Sequence, residues 1–483
     1  MGISSGFVMF MMMLRIKFIA AFIGIIGVGL MANYNALLIV MVTLFNMGLN
    51  PVAVREVAAV SANSKLLAKK VIAIKRVSYF LAIFGFLITV FFSGKISQLV
   101  FNNFEHKQDV AVLGLAIIFM ILTNANTSII QGVRRVTDLA YTNIFGAIFG
   151  TIIALFLFVT FGINSIAWAL LAVAVTQMLS SAYFVRRVEI IQIKYYWHEN
   201  ISDLLGLLRN GLPLMISSLV ITGTNLTIIA VISQKLDISS AGFYSAAFSL
   251  SGVFIGFLLN AMAADYYPRL SSMIDSRRRM NKIVNEQTIV GILLTVPGLL
   301  TCLVFSSFLL EIFYSKEFLP ASELLQWFIL GCFLKVISWP MGFVLLSLGK
   351  NNLFFLSELF FNLSHLSLVY YSVMYLSLTE TALAFFICYA AYGLFMLLIC
   401  YKLTKFKWSH NVNNLIFISF IQFTLVFISL KYFVLWLGIL IGCICIFLSI
   451  FISLKSIVAL LGPTNPIIQK LSRLAFLSKW LKI

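Results

Sequence analysis

Apolar residues run along this chain in stretches of about twenty, separated by short breaks that carry Gly, Pro and basic side chains. Twenty residues at 1.5 Å each reach across a hydrocarbon core of about 30 Å. Bounded by turn and charge signals, the stretches predict fourteen helices, at 4–24, 28–53, 72–94, 110–130, 139–160, 164–185, 210–233, 240–265, 287–313, 322–349, 352–376, 382–401, 412–430 and 433–454. The period-two alternation of barrel strands is missing from these runs. In lipid every backbone amide needs an internal partner, which leaves helices as the spanning element. The expected fold class is all-α, a polytopic membrane protein of about fourteen transmembrane helices.

Composition agrees with the pattern. The 483 residues are 61% hydrophobic and 10% charged, and mean hydropathy is +1.05, whereas soluble domains carry about 25% charged residues. The net charge of +18 would suggest nucleic acid on a soluble protein. Here the cations have a place in the topology. Even-numbered loops and the tail hold 26 Lys and Arg, odd-numbered loops hold 5, and only Arg15, Lys17 and Lys335 fall inside helices. Basic residues collect on the cytoplasmic side, so both termini are expected there. No basic and aromatic platform for bases is evident, so nucleic acid is not an expected partner.

No loop exceeds about 25 residues, so a soluble catalytic domain has nowhere to sit. All six cysteines (Cys302, Cys332, Cys388, Cys400, Cys443, Cys445) lie in apolar stretches without zinc spacing, and read as small hydrophobes. No metal or cofactor is expected. The first apolar segment is broken by charge and lacks a small-residue cleavage site, unlike a signal peptide. The tail PTNPIIQKLSRLAFLSKWLKI mixes Ile467, Leu471, Leu474 and Leu481 with cations and is expected to be a basic helix lying on the inner leaflet.

The two halves of the chain echo one another. GLMANYNALLIVMVTLFNMGLNPVAVR runs from Gly29 to Arg55, and GFYSAAFSLSGVFIGFLLNAMAADYYPR from Gly242 to Arg269. Both open on Gly and close on Pro and then Arg. GVRRVTDLAYTNIFGAI from Gly132 matches GKNNLFFLSELFFNL from Gly349, and GINSIAWALLAVA matches SLTETALAFFICYA. Mates stay about 213–217 residues apart. This order predicts two six-helix lobes in parallel repeat, residues 1–188 and 210–402, joined by a linker at 189–209 and followed at 403–483 by two appended helices and the tail. The repeat also decides the first helices. Residues 18–45 could form one long span, leaving Arg15 outside, but the second half has two helices in the matching place.

Two six-helix lobes, GLPLMISS opening helix 7, AGFYSAAFSL opening helix 8 and a Gly turn before helix 11 together resemble the polysaccharide transporter branch of the multidrug/oligosaccharidyl-lipid/polysaccharide flippase superfamily, with O-antigen flippases as the nearest likeness. The resemblance spans essentially the whole chain through the order of weak motifs. It implies translocation of an undecaprenyl-diphosphate-linked glycan across a bacterial inner membrane. It further implies alternating access between two lobes, often driven by a gradient of ions such as H+ or Na+. Membrane lipids and other polysaccharide assembly proteins are the partners such an activity implies.

The buried charges fit an anionic cargo. A cation near mid-bilayer costs about 2.5–3.5 kcal/mol on insertion scales, so a wet cavity or an anionic partner is expected around Arg15, Lys17 and Lys335. Arg15 and Lys17 stand about 200° apart around a helix. Arg15, nearer mid-span, is expected to face the cavity, while Lys17 is free to snorkel; inter-helix anchoring is the alternative for both. Antiparallel helices 10 and 11 put Lys335 and His365 at similar depth, with Glu358 about 10 Å nearer the cytoplasm. These three form either a mixed proton and phosphate site or, for Lys335 and Glu358, a structural pair. In the related lipid II flippases, cations at places like Arg55 and Arg269 are implicated in headgroup capture. Arg suits a diphosphate because its planar fork binds oxyanions bidentately; ordinary positive-inside anchoring is the alternative. Asp265, one turn from Arg269, is expected to pair with it, and with Glu358 and His365 it completes the ion-coupling candidates. Pro297, Gly298, Pro340 and Gly342 sit in mid-helix, as bends for rocking or as packing kinks.

Two rival readings make different demands. A drug or cation antiporter of the same superfamily should carry a carboxylate deep in the first lobe, whereas Glu56 and Asp138 fall at helix ends. A membrane O-antigen polymerase or glycosyltransferase usually needs charged groups on a large outer loop, and the outer loops near 95–109 and 314–321 are too short. No nucleophile set or phosphate-cradling Gly loop has a fitting context. No catalytic residue is therefore assigned, and the chain is not expected to be an enzyme.

Overall fold

The structure, a computed structural model, describes residues 2–191, 193 and 197–461. Among the described residues there are seventeen α-helices and no strand. In order they are α1 (Gly2–Phe22), α2 (Ile25–Asn46), α3 (Leu49–Val60), α4 (Ser64–Phe91), α5 (Ser93–Phe101), α6 (Lys107–Gly132), α7 (Val136–Phe161), α8 (Ile166–Val185) and α9 (Trp197–Lys235). Then follow α10 (Ile238–Ser271), α11 (Arg277–Val304), α12 (Ser306–Phe313), α13 (Ser322–Ser347), α14 (Asn351–Tyr375), α15 (Leu378–Thr404), α16 (His410–Tyr432) and α17 (Leu435–Leu461). The basic tail lies outside the described residues.

Among the described residues, thirteen helical stretches are long and apolar enough to cross a membrane. The longest, Val136–Val185, is divided by Gly162 (φ +58°) and a 3-10 turn into α7 and α8, so each of the fourteen expected helices has a counterpart. The chain is a multi-pass membrane protein. Its surface pattern fits lipid. On α4, Phe80, Ile83, Phe84, Leu87 and Phe91 are exposed, whereas Ser78, Gly85 and Thr89 are buried. Three of the buried hydroxyls are satisfied locally: Thr89, Thr288 and Thr295 donate to carbonyls four residues back at 2.7, 2.8 and 2.8 Å.

Three details differ from the sequence reading. The second helix breaks into α2 and α3, because Met47 and Gly48 adopt left-handed φ of 46° and 66°. The loop expected at 95–109 begins with α5, which buries Ser97, Val100 and Phe101. The ninth helix ends at Val304, and α12 follows it. The helices run unbroken through Pro297 and Pro340.

The described chain gathers into two compact units. The first holds residues up to Ala246 with Leu310–Pro320 and Leu366–Leu378; the second holds Ala247–Leu309, Ala321–His365 and the chain from Thr379. A core of the first unit joins Leu49, Val57, Ile74, Ile129 and Phe184. A core of the second joins Tyr266, Met280, Met341, Met396 and Phe406. Glycines set two close crossings in the first unit. A Cβ on Gly29 would stand 2.0 Å from the Ile238 carbonyl oxygen, and one on Gly242 would stand 2.6 Å from that of Ile25. Gly29 and Gly242 are the repeat mates of the sequence, and here they touch. A Cβ on Gly48 would likewise stand 2.2 Å from the Gly211 carbonyl oxygen.

Candidate functional site

The two cations of α1 divide their work. Lys17 Nζ donates to the Glu311 carbonyl oxygen at 2.9 Å. Glu311 lies in the last turn of α12, where carbonyls lack helical partners and the helix end carries partial negative charge. The lysine thus anchors α1 to α12. Arg15 lies on nearly the opposite side of α1. Its side chain is half-buried, and its Nε is buried without a hydrogen-bond partner among the described residues. A guanidinium stays charged in any protein environment, and among the described residues no carboxylate lies within 4.0 Å of this one.

Lys335, Glu358 and His365 share one aromatic scaffold in the second unit. Tyr392 on α15 donates its hydroxyl to Glu358 Oε1 at 3.1 Å. One turn back on α15, the Tyr389 ring centroid lies 5.9 Å from Lys335 Nζ, a cation–π distance. Phe361 on α14 packs on both tyrosines, with centroids 4.5 and 5.6 Å apart. His365, one turn further, lies tilted 5.8 Å from the Phe361 ring and edge-on 5.5 Å from the Phe385 ring. Its buried Nε2 has no hydrogen-bond partner among the described residues. No ion pair within 4.0 Å joins Lys335 to Glu358 among those residues. The tyrosines were missed from the sequence. The signal was present in CYAAYG, where two tyrosines three apart must share a helix face.

Arg269 lies in the last turn of α10, whereas Arg55, expected to close its helix, lies in the middle of α3 because the chain resumes a helix after the Met47–Gly48 break; both cations meet carboxylates. Arg55 Nη2 lies 3.8 Å from Glu56 Oε1, and Lys70 Nζ lies 3.1 Å from Glu56 Oε2. Arg269 lies 3.3 Å from Asp265, as one-turn spacing predicts, and 3.6 Å from Glu286. The arginines of these pairs are exposed, and exposed pairs contribute about 0–1 kcal/mol each, so Arg55 and Arg269 can open for another anion at little cost. Two further networks escaped the sequence reading. Asp138 is buried and meets Arg135 at 2.7 Å and Arg187 at 3.9 Å. Tyr34 donates to Asp109 at 2.5 Å and lies 2.7 Å from His106 Nδ1. No cluster of His, Cys, Asp and Glu suited to a metal occurs among the described residues.

Comparison with known proteins adds to this geometry. Residues 19–323 match a family described as "Polysaccharide biosynthesis protein". A lipid III flippase of Escherichia coli strain K12 is 20% identical over 348 residues, spanning 71% of this chain and 82% of that protein. A Shigella flexneri protein named as an O-antigen transporter is 22% identical over 339 residues, spanning 68% and 79%. Among solved structures, an inward closed conformation of the lipid II flippase MurJ superposes with a TM-score of 0.70 at 17% identity, covering 94% of this chain and 99% of that one. The two chains share a fold over nearly their whole length.

Proposed function

The chain belongs to the polysaccharide biosynthesis protein family, and from that premise we propose that it is a flippase for a lipid-linked glycan. The cargo is an O-antigen or polysaccharide repeat unit on undecaprenyl diphosphate. It moves from the cytoplasmic to the periplasmic leaflet of a bacterial inner membrane by alternating access. The names of the Escherichia coli and Shigella relatives support the cargo class. The observation that carries the reading is Arg15: a permanent cation, half-buried in a spanning helix, with Nε unpartnered among the described residues. A visiting diphosphate supplies the missing negative charge, and a cationic wall lowers the cost of holding it in low dielectric.

In this reading Arg55 and Arg269 capture the headgroup at the membrane face, Arg15 and Lys335 hold it within the membrane, and Lys17 braces α1. Glu358, His365 and Asp265 couple transport to a proton or sodium gradient. Residues 1–188 and 210–402 act as the two lobes about the linker 189–209, with 403–483 appended and both termini cytoplasmic. The inside-negative potential favours exit of the diphosphate by about 2.3 kcal/mol per charge per 100 mV.

Depletion of the protein, followed by leaflet-specific detection of the lipid-linked glycan, tests the reading. Build-up on the cytoplasmic leaflet is expected. Normal glycan export, or loss of glycan synthesis, would overturn it. The R15A variant should insert normally and lose surface polysaccharide. R15K should recover only part of it, because a lysine cannot hold a diphosphate bidentately.

A further inference from the structure

The first unit contains a cavity of ≈ 370 Å³ between α6, α7 and α8. Its polar lining is Thr123, Asn124, Thr127 and Gln131 from α6, Asn143 from α7 and Gln177 from α8. None of its lining residues is ionisable. That sets it apart from every charged site described above. Amides and hydroxyls turned toward lipid would be expensive, so this cavity is wet or filled by a polar ligand.

The lining is built and held. Gln177 Nε2 donates to Asn143 Oδ1 at 3.1 Å, which leaves Gln177 Oε1 to accept and Asn143 Nδ2 to donate. Thr123 and Thr127 donate to the carbonyls of Phe119 and Thr123 at 2.8 and 2.9 Å, so their hydroxyl lone pairs remain acceptors. Beside Gln177 on α8, Ser180 donates to the Thr142 carbonyl of α7 at 2.9 Å, while Thr176 donates to the Val173 carbonyl of its own helix at 3.0 Å and lies 3.4 Å from the Gly146 carbonyl. Gly146 makes the approach possible: a Cβ there would stand 1.8 Å from Gln177 Oε1, and one on Gly150 would stand 2.8 Å from Thr176 Oγ1. This is a small-xxx-small crossing, and it fixes the two amides on rigid helices.

A rigid, uncharged set of amide donors and acceptors with hydroxyl acceptors, flanked by the apolar Met120 and Leu139, is matched to a polyhydroxylated ring with an apolar face. It is poorly matched to a diphosphate or a metal ion. Its volume falls at the small end of ligand pockets. We propose that this cavity is a glycan subsite that receives one or two neutral sugar units of the lipid-linked cargo, separately from the cations that meet its diphosphate. The inference rests on the flippase reading, and it adds that sugar recognition belongs to α6, α7 and α8 of the first unit alone.

The test uses the full chain in lipid nanodiscs and two ligands: the lipid-linked glycan extracted from the source cells, and the same extract stripped of its glycan to bare polyprenyl diphosphate. The wild-type protein should bind the glycan-bearing lipid at least tenfold more tightly. In N143A and Q177A that preference should fall about tenfold, with affinity for the bare lipid kept within about threefold. Binding of bare lipid doubles as the folding control. Should either variant bind neither ligand, N124A takes its place, since Asn124 makes no side-chain hydrogen bond among the described residues. An undiminished preference in folded variants overturns the subsite and leaves the flippase reading intact. A wild-type protein that binds neither lipid overturns both.

Discussion

Lys335 on α13 and Glu358 on α14 meet neighbouring tyrosines of α15, Tyr389 and Tyr392, without an ion pair within 4.0 Å between them among the described residues. Half-buried charges of opposite sign held by tyrosines and not by each other suit groups that change partner during a cycle. K335M and E358Q should each reduce glycan export by an order of magnitude or more. In a double-mutant cycle on melting of the purified protein, the two changes should couple by about 0.5–3 kcal/mol; strict additivity would show that the groups act independently. Removing the Tyr392 hydroxyl leaves the carboxyl short of a donor, a loss of about 1–3 kcal/mol. What the sequence made legible at this scale was which residues are out of place in lipid, not whom they meet. Arg15 was favoured over Lys17 only by its depth in the span, and the partner of Lys17, the Glu311 carbonyl 294 residues away, was out of view. No local pattern encodes that contact. Tyr389 and Tyr392 were hidden for another reason: in a chain with 17 tyrosines, an aromatic spacing in an apolar helix looks like packing.

Helix length and hydropathy carried most of the element-scale information, because lipid leaves the backbone so few options. Fourteen apolar runs became fourteen long helices. The errors fell where length is no guide: α5 and α12 have only 9 and 8 residues, and the α2–α3 break rests on backbone φ at Met47 and Gly48. Gly29 and Gly242, which open matched segments in the faint internal repeat of the sequence, lie where two helices cross closely. Their missing side chains let α2 and α10 meet through backbone atoms. G29A places a methyl group 2.0 Å from a carbonyl oxygen, and backbone cannot swing aside as a side chain does. The expected cost is about 1–3 kcal/mol from overpacking, read as a lower melting temperature. G242A should lose a similar amount. At Gly162, where a Cβ would meet nothing within 4 Å, Ala should cost only the strain of positive φ. If G29A melts like wild type, the close crossing is not present in the membrane.

For the whole molecule, the distribution of charge fixes what a flippase must do with voltage. The chain is basic, +18, with few cations inside its spans, and the cargo of the proposed reaction is a diphosphate diester bearing two negative charges. Moving those charges outward against nothing else displaces two charges. Exchange for one inward-moving monovalent cation displaces three, and co-movement of one such cation displaces one. At about 2.3 kcal/mol per charge per 100 mV, a 30 mV step changes the leaflet distribution of cargo about threefold for one charge, tenfold for two and thirtyfold for three. Vesicles holding the purified chain and a fluorescent lipid-linked glycan, with potassium and valinomycin setting the potential and equal sodium and pH on both sides, make this measurable. Thirtyfold assigns antiport and gives Glu358 and His365 an ion to carry. Tenfold makes transport a uniport driven by the cargo's own charge, and those two residues then serve only to shape the second unit. A distribution that ignores the potential would mean that the diphosphate crosses neutralised. In that event Arg15, a single cation that stays within its helix, cannot be its principal counter-charge.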